Sequence, residues 1–100
     1  MNYIEIEGVK TPYKLTNRAK YKFEKQNKIM LATMEATFEN VTKLALAALN
    51  EGAELEGIKD RLTFDKLLDL DAKSENPIID EIIENINGDR GKPKASTNEA

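Results

Sequence analysis

A chain of 100 residues, 40% hydrophobic and 33% charged, implies one small domain that buries about 60–65% of its unfolded surface. It holds no cysteine and no histidine, so disulfides and thiolate chemistry are excluded, and the commonest general base and transition-metal ligand are missing. The net charge of −3 is unevenly spread: residues 1–30 carry seven basic and three acidic side chains, and residues 31–88 carry five basic and thirteen acidic. Such a distribution suits self-association or a partner bound at one end, but a plain solvated surface with uneven charge is the favoured reading. No apolar run approaches the ~20 residues that cross a bilayer. The opening MNYIEIEGVK is acidic where a signal peptide is basic and then apolar, which predicts a cytoplasmic protein.

Residues 3–15 alternate. Ile4 and Ile6 share one face of a first strand, and Val9, Thr11, Tyr13 and Leu15 share a face of a second. Gly8 supplies the left-handed turn residue between them. Pairing Ile6 with Val9 sets Glu5 opposite Lys10, a favourable cross-strand pair. Pro12 cannot donate to a ladder, so its strand is an edge. A lone hairpin is marginal, and its apolar face must lie on helices.

Thr16 is a suitable N-cap for a first helix over about 17–28. Leu15, Ala19 and Phe23 line one side of it, with Met30 a further candidate. Arg18, Lys22, Lys25 and Lys28 form a basic face. A second helix is predicted over about 34–50, where Met34, Phe38, Val41, Leu44, Ala45, Ala48 and Leu49 recur at three and four. Gly52 is its expected stop. AELEGIKDRL reads as a loop or as a ragged short helix broken at Gly57. Thr63 then caps a third helix, TFDKLLDLDA, with Phe64, Leu67 and Leu68 inward.

NPIIDEIIENING is a fourth helix. Its five isoleucines fall within roughly 140° of arc. Asn76 is the expected N-cap, Pro77 the first helical residue and Gly88 the stop. Ile79, Ile82 and Ile86 occupy the middle of the arc and belong to the core. Ile78 and Ile83 flank it, where a partner or a second copy could reach. The predicted fold is α+β, mainly α: an N-terminal β-hairpin followed by about four helices in a small bundle. Residues 1–88 form the domain. Residues 89–100 lack any large apolar side chain and read as a flexible tail.

Few constellations carry chemistry. Asp69, Asp71, Lys73, Ser74 and Glu75 resemble the start of a calcium loop, but the fifth position is lysine, the sixth is not glycine and no glutamate stands at the twelfth. Asp80 and Glu81 point outward on an amphipathic helix. No phosphate-binding glycine loop is present. These absences predict neither enzyme activity, metal nor cofactor. The basic face of the first helix, with Lys14, Lys20 and Tyr21, is the candidate for nucleic acid, as in a small phage or bacterial regulator. A solvated basic face is the plainer reading, because the rest of the chain is acidic and no helix-turn-helix spacing is present.

Taken in order, the hairpin, YKLTNRAKYKFEKQNK, LALAALNEG and RLTFDKLLDLDAKSENPIIDEIIENI resemble the tail assembly chaperones of long-tailed bacteriophages and prophages. The likeness spans residues 9–87 and rests on pattern and order. It implies a non-enzymatic role in virion assembly. Such chaperones bind the tape measure protein, keep it soluble and help recruit tail tube subunits. They work in the cytoplasm of the bacterial host and are absent from the mature virion. A longer product made by translational frameshift is common among them, and GKPKASTNEA would suit such a junction.

Overall fold

The computed structural model describes residues 1–89, so the predicted tail lies outside the described residues but for Asp89, which ends the last helix. Strands β1 (Asn2–Ile6) and β2 (Val9–Tyr13) form a two-stranded antiparallel sheet. The register is the expected one, with Ile6 opposite Val9 and Glu5 opposite Lys10. Both turn residues are left-handed, Glu7 at φ 52° and Gly8 at φ 78°. That geometry matches the right-handed twist of the flanking strands. Ile4 and Ile6 are buried, whereas Val9, beside the turn, is 63% exposed.

Helix α1 (Asn17–Asn27) begins at Thr16, whose hydroxyl accepts the Ala19 N–H at 3.1 Å. It closes at Lys28, itself left-handed at φ 56°. Ala19 and Phe23 are buried, as the spacing predicts. Met30 is not: it lies 66% exposed in the following loop. The Glu24 carboxylate holds that loop by accepting the Leu31 N–H at 2.9 Å.

Helix α2 (Phe38–Leu55) starts later and ends later than its periodicity suggests. Thr37 caps it, accepting from Asn40 N–H. Residues 35–39 are all exposed, so Met34 and Phe38 do not enter the core as expected; Phe38 is 60% exposed and Met34 half-buried. Gly52 does not stop the helix. A Cβ there would lie 2.6 Å from Tyr13 Cα and closer still to the Pro12 carbonyl. Glycine is required because β2 crosses α2 at this point, and the Lys14 N–H donates to the Ala48 carbonyl at 3.0 Å. The stop is Gly57, at φ 72°. Its N–H donates to Glu54 O and that of Ile58 to Ala53 O, the paired bonds of a Schellman cap. Residues 53–55 of the ragged segment are thus helix, and 58–62 are loop. The Asn50 side chain clasps that loop, donating to Leu62 O and accepting from Leu62 N–H.

Helix α3 (Phe64–Lys73) is capped by Thr63, as predicted. Helix α4 (Ile78–Asp89) runs on through Gly88. Its leading N–H groups are taken by Asp71 rather than Asn76: Oδ1 accepts from Ile78 at 2.8 Å and from Ile79 at 3.0 Å. The core gathers Tyr13, Leu15, Phe23, Leu44, Leu49, Leu67 and Leu70 with Ile78, Ile79, Ile82 and Ile86. α2 packs against β2, α1, α3 and α4. Among the described residues the fold is α+β, mainly α, with a hairpin and three α-helices around the central α2.

Candidate functional site

The contact between α1 and α2 is set at one end by a buried carboxylate. Only 4% of the Glu51 side chain is exposed. Thr16 Oγ1 donates to Glu51 Oε2 at 2.5 Å while it accepts the Ala19 N–H. Arg18 Nε reaches both carboxylate oxygens, and its terminal nitrogen lies 3.0 Å from Oε2. A buried charge is tolerated only when paired and hydrogen-bonded, as here.

Along the helices from this clamp runs an open groove of about 380 Å³. Ala19, Phe23, Leu46, Ala47 and Phe64 form its apolar floor, and Lys22, Gln26, Asn27, Glu39, Lys43, Asn50 and Glu54 stand round it. On α2 the lining residues 39, 43, 46, 47, 50 and 54 recur at helical spacing. They trace one face roughly 22 Å long, the length of four turns. The charges are answered locally. Lys43 pairs with Glu39 at 3.0 Å, and Arg61 with Glu54 at 2.7 Å. The hydrogen bond from Arg61, and then its charge, hold the Glu54 carboxyl below its ordinary value. A channel with an apolar floor and a mixed, neutralised rim is suited to covering one face of an amphipathic helix.

Of the residues singled out from sequence, Lys22 lines this groove, while Arg18 is engaged by Glu51. Lys25 sits 5.9 Å from the ring centre of Tyr21, and Lys28 ends α1. Ile78 is only 2% exposed, so it belongs to the core and not to an open flank. By holding the first turn of α4 against α3, Asp71 brings Ile78 down beside Ile4 and Leu70 at the base of a second cavity. Ile83 is half-buried at the edge of the core. The calcium-like run is structural: Asp71 caps α4, and Asp69 pairs with Lys73 at 3.1 Å.

Leu46, Ala47 and Phe64 were not foreseen as a site. A signal did exist. Leu44 to Leu49 are six apolar residues in succession, more than one helical face holds. The core takes Leu44, Ala45, Ala48 and Leu49. Leu46 and Ala47 are left for a second face.

The sequence matches no family model and no curated protein, and the fold matches no solved structure. Among the described residues, no helix is long and apolar enough to cross a membrane.

Proposed function

We propose that this protein is a non-enzymatic tail assembly chaperone of a long-tailed phage or prophage, and that the tape measure protein rests a helix in the groove between α1 and α2. The reading is carried by that groove, a channel about four turns long beside the central helix, with Leu46, Ala47 and Phe64 in its floor. The order of hairpin and helices, which resembles that family over residues 9–87, supports it. A tape measure protein is long and helical, with apolar surface that needs cover until tail tube subunits replace it. Ala19 and Ala47 in the floor let a partner backbone come close. Copies bound weakly at many points along one long partner act together without any single tight site, and they release easily. The role places the protein in the host cytoplasm and outside the finished virion.

The test is capture of the long helical product of the neighbouring reading frame by the full chain. Wild type retains it. Ala47→Lys, at a half-buried floor position, keeps its helical circular dichroism and loses capture. Val9→Lys, exposed on the hairpin, keeps both. Capture by Ala47→Lys at wild-type strength rejects the groove. No capture by wild type rejects the chaperone.

A further inference from the structure

We draw no further inference here: the strongest candidate, the apolar patch that Met30 and Phe38 expose on the α1–α2 connection and the first turn of α2, carries nothing because nothing in the structure shows what covers it.

Discussion

Gly52 shows how one side chain can reverse the sign of an expected effect. In an unconstrained helix, glycine to alanine gains about 1 kcal/mol. Here the added methyl meets the Pro12 carbonyl and Tyr13 Cα, both backbone, and neither can swing aside. Gly52→Ala is therefore expected to cost about 2–3 kcal/mol, the upper part of the overpacking range, read as a lower urea midpoint with unchanged slope. A gain in stability would remove the close crossing of β2 over α2. The sequence alone could not tell this glycine from a helix stop, because the missing Cβ serves both uses. Glu54 makes a smaller, pH-dependent contribution. Its folded pKa lies below the ordinary 4.5, so its link to Arg61 stabilises the fold above that pH and is lost as pH falls through the folded value. The stability difference between wild type and Arg61→Gln should shrink as acid is added from neutrality. A difference constant down to about pH 3 would mean that Arg61 acts through packing instead.

Helix α4 places the same lesson one level up. Its isoleucine spacing was enough to show a helix with an inward face, and Ile79, Ile82 and Ile86 are all at or below 1% exposure. Its cap was not legible. Adjacent Asn76 is the natural choice, yet the acceptor is Asp71, from the preceding helix. A cap supplied across a loop depends on how two helices meet, and local sequence does not carry that. Asp71→Ala should cost about 1–2 kcal/mol, since two N–H groups lose a charged acceptor. Asn76→Ala should cost much less. Parallel thermal melts of the two variants decide it, and equal losses would return the cap to Asn76. The groove was half legible for a related reason. The surplus of apolar residues on α2 was visible, but which ones stay outside depends on where α1, α3 and β2 lie.

At the scale of the whole molecule, the uneven charge is expected to give no strong phosphate-binding surface. Arg18 is committed to Glu51, and the groove beside Lys22 carries Glu39 and Glu54. Mobility-shift titration with duplex and single-stranded oligonucleotides should show only weak binding that vanishes by physiological salt. Nanomolar, sequence-specific binding at that salt would promote the regulator reading over the chaperone.

The crossing of β2 over α2 also orders events in time. The hairpin and α1 leave the ribosome before α2, yet their supports are Ala48, Glu51 and Gly52. An isolated hairpin and an eleven-residue helix are each marginal in water. At 5–20 residues per second, the completed hairpin waits about 2–8 s for that stretch of α2 to follow it. During that interval the hairpin and α1 lack the α2 residues that support them, so stable folding of this segment is expected only once the central helix has emerged.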